Sequence, residues 1–106
     1  HGPLALVEGG VVSFFGATNP ITREKVASNI KEIKARGGTV VGIVLESDSV
    51  IPDICDFCVT LPHVDSHETS ALISVVPYQL FAYHVARMRG CDIDQPRNLA
   101  KSVTVE

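Results

Sequence analysis

The chain has 106 residues, 45% of them hydrophobic, and a formal net charge of −3. This size and apolar content are typical of one small packed domain, or a piece of one, with a single core. The charge excludes a basic footprint for nucleic acid, and no apolar run approaches the roughly 18 residues of a membrane span, so neither partner is expected.

The first half of the chain predicts a strand–helix–strand unit. Residues 11–17 are a short apolar run with β-branched and aromatic side chains, and residues 39–45 are a continuous run rich in β-branched residues, both typical of buried strands. Between them, Asn19 is predicted to cap a helix with Pro20 at its first position, and Gly37-Gly38 to end it. The apolar face of this helix is formed by Val26, Ile30 and Ile33. Short connections of this kind predict parallel pairing with a right-handed crossover.

The second half adds a strand and a long helix. Residues 57–61 predict a third strand, which Pro62 closes, and residues 68–89 predict a helix that ends at Gly90. Pro77 lies inside this helix and is expected to bend or split it near Val76. The apolar positions spaced for burial are Leu72, Val76, Leu80 and Met88. Together these elements predict an α/β fold with a sheet of three strands. Because a parallel sheet is normally covered on both faces, a further strand and helix are expected upstream.

The cysteines and histidines offer a metal-site hypothesis that their spacing disfavours. Cys55-x2-Cys58 is followed by His63-x3-His67, but only four residues separate the two pairs. A zinc finger needs about a dozen between them. Three unevenly spaced cysteines also form no disulfide framework. We therefore interpret Cys55 and Cys58 as buried or half-buried thiols, and we expect a reducing, cytosolic setting.

The polar segments between strands and helices are expected to cap helices and to form turns. Ser66 or Asp65 is suited to cap the last helix, and Glu68 suits its positive end. A substrate contact by His63 or His67 remains an alternative. Thr18-Asn19, between a strand and a helix, is a candidate anion site.

The carboxyl-terminal tail carries the most specific motif. Residues 94–106 read DQPRNLAKSVTVE, and the last nine of them hold one lysine, Lys101, in an extended and otherwise uncharged run up to Glu106. This stretch closely resembles the carboxyl terminus of the glutamine:fructose-6-phosphate amidotransferases, also called glucosamine-6-phosphate synthases. The opening HGPLAL, the segment ICDFCVTLP at residues 54–62 and the segment LFAYHVA at residues 80–86 resemble the same family. The resemblance covers essentially the whole chain.

The resemblance implies a fold and a set of site residues. The fold would be a partial sugar-isomerase (SIS) subdomain, three-layered with parallel strands flanked by helices, over residues 1–92. Residues 93–106 would form an active-site tail. In this family the tail lysine forms a Schiff base with the open-chain ketose, and Lys101 matches it. The histidine of the HGP motif assists ring opening and matches His1. Backbone contact with the sugar carries over to Ala100.

The resemblance also implies a reaction and its partners. The parent enzyme would convert fructose 6-phosphate and glutamine-derived ammonia to glucosamine 6-phosphate in amino-sugar biosynthesis. No cofactor is expected, and the partners would be these sugar phosphates, a glutaminase domain of the parent chain and a second copy in a cytoplasmic homodimer. The fragment alone is expected to be inactive. The alternatives are a non-catalytic sugar-phosphate-binding module and a structural fragment that dimerises through its last helix.

Overall fold

The computed structural model describes residues 2–95, and the fold is an α/β arrangement around one parallel sheet. The three strands are β1 (Val12–Ala17), β2 (Thr39–Leu45) and β3 (Phe57–Leu61), in spatial order β1-β2-β3 with parallel pairing throughout. The predicted α/β class and the parallel pairing are confirmed. A short 3₁₀ turn, Pro3–Leu6, precedes β1, and another, Pro52–Ile54, precedes β3.

Helix α1 (Arg23–Ala35) covers one face of the sheet and forms the core with it. Ile30 is fully buried and Ile33 nearly so, and Val26 packs at the margin, as the helical spacing predicted. Their partners are the buried side chains Ala17, Val40, Val44 and Ile51. Removal of this apolar surface from water is the main term that holds α1 to the sheet.

The start of α1 differs from the sequence prediction, whereas its end agrees. The helix begins at Arg23, because the Asn19 side chain accepts a hydrogen bond from the Ile21 N–H at 2.9 Å and closes a separate turn first. The predicted cap by Asn19 and first position at Pro20 are therefore wrong. At the other end, Gly37 has φ +79° and donates to the Lys34 carbonyl, while Gly38 donates to the Ile33 carbonyl. This is a Schellman termination, and the positive φ explains the glycine.

An ion pair ties the carboxyl end of α1 to the sheet. The Asp56 carboxylate accepts from Lys34 Nζ at 2.8 Å and from the Val40 backbone N–H at 2.8 Å. The Lys34 hydrogen bond, followed by that from Val40, lowers the pKa of Asp56. One side chain thus joins α1, the start of β2 and the turn that leads into β3.

Helix α2 (His67–Met88) is continuous through Pro77, so of the two predicted effects of this proline the split is wrong, and the bend stays a prediction. The chain divides into two compact units within this helix, after Val75. At its end Gly90 has φ +67° and donates to the Arg87 carbonyl, which confirms the predicted stop. The prediction that its apolar residues are buried is wrong for the described chain: Leu72, Val76, Leu80 and Met88 are exposed.

Candidate functional site

The carboxyl ends of the three parallel strands meet at one edge of the sheet, and a cavity of about 300 Å³ opens there. In open α/β sheets this edge is where ligands usually bind. Its wall comes from the segments that follow β1, β2 and β3, and from the first turns of both helices. The lining residues are Ala17, Thr18, Pro20, Arg23, Leu45, Ser47, Asp48, His63, Val64, Asp65, Ser66, His67 and Ser70.

The segment after β3 is held to the segment after β2 by a backbone contact. The His63 N–H donates to Glu46 Oε1 at 2.9 Å, and the His63 imidazole Nε2 lies 3.3 Å from Asp65 Oδ1. Both His63 and Asp65 remain exposed, so this contact orients the imidazole at the cavity mouth without burying it. His63 is therefore placed to meet a ligand from the solvent side.

The start of α2 is capped by Ser66, one of the two candidates that the sequence offered. Ser66 Oγ accepts from the Thr69 N–H at 3.1 Å, and the buried Ser70 hydroxyl donates to the His67 carbonyl at 2.8 Å. Backbone hydrogen bonding at Glu68 itself, then the Ser66 hydroxyl, lowers the pKa of Glu68. Glu68 therefore suits the positive end of the helix, as predicted.

The acidic groups of the cavity already have polar partners. Asp48 Oδ1 accepts from the backbone N–H groups of Val50 at 2.8 Å and Ile51 at 3.0 Å, which fixes the turn after β2. Asp65 faces the His63 imidazole. Among the described lining residues, Arg23 is the permanent cation, and hydroxyls of Thr18 and Ser47 lie on the same wall. This donor set suits a hydroxylated or anionic small molecule.

The described wall contains neither a lysine nor a cysteine. Two imidazoles, those of His63 and His67, also lie on this wall. A covalent imine would need a lysine from elsewhere. The three residues to which the sequence resemblance assigned roles, His1, Ala100 and Lys101, lie outside the described residues.

The structure separates the thiols from the histidines that accompany them in sequence. Within residues 2–95, no three side chains of His, Cys, Asp or Glu are grouped so that they would hold a metal ion. Cys55 is half-buried, as predicted, but Cys58 is exposed, so the predicted burial is wrong for Cys58. Cys58 is exposed because β3 is the edge strand of this sheet.

Sequence reasoning identified the segments of Thr18 and of His63 separately but missed that they form one cavity together with Ser47. Thr18, Ser47 and His63 each come soon after the end of a strand, and this recurrence was the available signal. Parallel pairing brings all three strand ends to the same edge. Arg23 was missed altogether, because the predicted helix start made it the fourth residue of the helix, where no motif singles it out.

The parallel sheet with a polar cavity at its carboxyl edge defines a ligand-binding α/β domain, and the family comparison gives its family. The SIS domain family matches residues 1–89, so the chain belongs to that family.

Among the described residues, no helix is both long and apolar enough to cross a bilayer.

Curated proteins that are similar to this chain are aminotransferases with the same name. Over 106 residues the chain is 50% identical to the glutamine–fructose-6-phosphate aminotransferase (isomerizing) of Bacteroides thetaiotaomicron. It is 48% identical over 107 residues to that of Thermus thermophilus. The whole chain is covered in both cases, but only 17% of the relative. The resemblance drawn from the sequence is confirmed.

A solved structure supports the same relationship. It is described as the C-terminal domain of glucosamine-fructose-6-phosphate aminotransferase from Francisella tularensis. The two chains share 36% identity with a TM-score of 0.70. The match covers 91% of this chain and 27% of the solved one, so the fold corresponds to part of a larger domain.

Proposed function

We propose that this chain is the carboxyl-terminal part of the isomerase domain of an enzyme that makes glucosamine 6-phosphate from fructose 6-phosphate and glutamine-derived ammonia. The observation that carries the proposal is 50% identity to such an aminotransferase over all 106 residues, the tail included. The chain spans 17% of that relative, so the glutaminase half and the remaining isomerase residues would come from the rest of the parent protein.

Lys101 is the proposed covalent residue. Its neutral Nζ attacks the carbonyl carbon of the open-chain ketose, and loss of water gives an imine that activates the adjacent carbon for isomerisation. His1 assists ring opening by proton transfer, for which imidazole is suited near neutral pH. Ala100 contacts the sugar through its backbone. These three roles rest on the family resemblance of the HGP and NLAKSVTVE segments.

The proposed organisation is a subdomain portion at residues 1–92 followed by an active-site tail at residues 93–106. The edge position of β1 supports a sheet that continues into the parent protein. A groove of about 500 Å³ lies beside β1, between the Pro3–Leu6 turn and α1, and Leu4, Val7 and Phe15 are among its apolar walls. A parallel sheet is normally covered on both faces, and an added strand with its crossover would fill this groove.

The proposed partners follow from the same assignment. They are fructose 6-phosphate and glucosamine 6-phosphate, the glutaminase domain of the parent chain and a second copy of the enzyme. The setting is cytoplasmic, in the pathway that supplies amino sugars. Because key catalytic groups belong to other parts of the parent, the 106-residue piece by itself should not turn over substrate.

A second candidate function is non-catalytic binding of a sugar phosphate. The observation that favours it is the carboxyl-edge cavity, in which Arg23, Thr18 and Ser47 offer a cation and hydroxyls to an anionic, hydroxylated ligand. Binding there would need no contribution from the tail. The two functions are therefore separable by experiment.

The test is chemical trapping of the imine in the full-length parent protein. Borohydride added with fructose 6-phosphate reduces an imine to a stable amine, and peptide mass spectrometry locates the adduct. We expect the adduct on Lys101, its loss in Lys101→Arg, and its retention in Lys31→Arg, a matched change on the exposed side of α1.

The opposite results distinguish the two functions. An unmodified Lys101 in protein that still binds the sugar phosphate would refute the catalytic assignment. If Arg23→Gln then abolished that binding while Lys101→Arg preserved it, the carboxyl-edge cavity would be the binding site.

A further inference from the structure

Two thiols share the space above one glycine of the central strand. A methyl group added at Gly42 would lie 2.8 Å from Cys55 Sγ and 3.4 Å from Cys58 Sγ. Both contacts are shorter than, or at the limit of, ordinary van der Waals distance. The sulfurs therefore fill the volume that the missing side chain of Gly42 leaves open.

The fold brings these sulfurs together by two independent routes. The β2–β3 register places Cys58 directly opposite Gly42. Cys55 follows the Pro52–Ile54 turn and packs against the core beneath α1. Spacing in the sequence could not show this, since two side chains that are three residues apart need not meet in an extended chain.

The two thiols have different environments. Cys58 is exposed and Cys55 is half-buried. Burial, followed by the proximity of Cys58 and a hydrogen bond between the two thiols, raises the pKa of Cys55 to about 11. At neutral pH Cys55 is thus a protonated, sheltered thiol beside an accessible one.

We propose that Cys55 and Cys58 form a reversible redox-modification site, which a small-molecule disulfide such as glutathione disulfide closes to an intramolecular disulfide. The proposal is independent of the imine chemistry of the tail. It assigns a role to a Cys-x2-Cys pair that the carboxyl-edge cavity does not use, and it gives a reason for a glycine in the middle of a buried strand.

The exchange proceeds in two balanced steps. The Cys58 thiolate attacks one sulfur of glutathione disulfide, the oxidant's S–S bond breaks, and one glutathione leaves as thiolate and takes up a proton. Cys55 then loses its proton to solvent and attacks the Cys58 sulfur, which releases the second glutathione. Two protein thiols are oxidised by two electrons, and one glutathione disulfide is reduced to two thiols.

The test exposes folded, full-length parent protein carrying Cys91→Ser to a range of reduced-to-oxidised glutathione ratios. The products are alkylated, digested and mapped by mass spectrometry. We expect a Cys55–Cys58 disulfide that dithiothreitol reverses. In Cys55→Ser, closure should be lost and a glutathione mixed disulfide should accumulate on Cys58. In Cys58→Ser, Cys55 should react many-fold more slowly than Cys58 does in Cys55→Ser.

A glycine pair provides the structural control. Gly42→Ala places a methyl against both sulfurs, whereas Gly9→Ala meets no atom within 4 Å. We expect Gly42→Ala to lower the rate of closure several-fold and Gly9→Ala to leave it unchanged. Circular dichroism checks that each variant is folded, and the two cysteine variants test the site even if Gly42→Ala does not fold.

Three results would overturn the proposal. In one, wild-type folded protein stops at the mixed disulfide. In another, closure occurs only in urea. In the third, the oxidised protein has lost its cooperative unfolding transition, which would show that the disulfide forms at the expense of the fold. An oxidised protein that unfolds cooperatively supports it.

Discussion

Truncation of Ile30 is the most direct test of how α1 is held to the sheet. Ile30 is fully buried and is one of the six residues of the hydrophobic core. The other five are Ala17 of β1, Ile33 of α1, Val40 and Val44 of β2, and Ile51. Ile30→Ala removes three carbon atoms, which at about 0.8 kcal/mol per buried methylene is roughly 2.4 kcal/mol of transfer free energy. The unfilled cavity adds to this, so the expected loss lies within the range of about 2–5 kcal/mol.

The assay is urea unfolding of the 106-residue chain, followed by far-ultraviolet circular dichroism. Ile21→Ala is the matched control, because Ile21 is 80% exposed in the turn before α1 and its truncation should change the free energy of unfolding by less than about 0.5 kcal/mol. Ile30→Val, with one methylene removed, should fall between them at about 0.5–1.5 kcal/mol. A loss below about 1 kcal/mol for Ile30→Ala, or equal losses at positions 30 and 21, would refute the packing described for α1.

Further predictions concern the tail, the ion pair and the thiol. Lys101→Arg in the parent enzyme should abolish formation of glucosamine 6-phosphate while binding of the substrate persists, as measured by product assay and calorimetry; full activity would contradict the imine role. Because the pKa of Asp56 is lowered in the folded chain, its ionised form contributes stability above its ordinary pKa that is lost as pH falls below it. Asp56→Asn should flatten this acid-side loss in urea titrations at several pH values, and an unchanged pH profile would exclude the contribution. The pKa of Cys55 is raised to about 11, so the thiol stabilises the fold at low pH and this contribution is lost as pH rises from 9.0 to about 11. Cys55→Ser should remove that alkaline loss, and its persistence would assign it to another group.

Local patterns in the sequence determined the elements of this fold. The β-branched runs at residues 39–45 and 57–61 are the strands observed, because continuous apolar stretches bounded by turn residues have few other stable conformations in a packed chain. Gly37 and Gly90 ended their helices as predicted, since both positions have positive φ. The predicted start of α1 was wrong, because the Asn19 side chain accepts a hydrogen bond from a backbone N–H within its own turn instead of capping the helix.

Family membership and the proposed roles of Lys101, His1 and Ala100 also came from the sequence. They rest on specific residue order, which needs no coordinates to be recognised. The structure describes residues 2–95 and leaves these roles as predictions. The comparisons confirm the family and the kinship with the aminotransferases.

The tertiary structure alone decided which distant residues meet. Thr18, Ser47 and His63 line one cavity because parallel strands place their carboxyl ends at one edge. Cys55 and Cys58 converge because strand register sets Cys58 opposite Gly42, where no side chain intervenes. Register and crossover depend on the packing of α1 against the whole sheet. The spacing of residues along the chain does not show the register or the crossover. The sequence therefore predicted two unconnected thiols, whereas the fold brings Cys55 and Cys58 together.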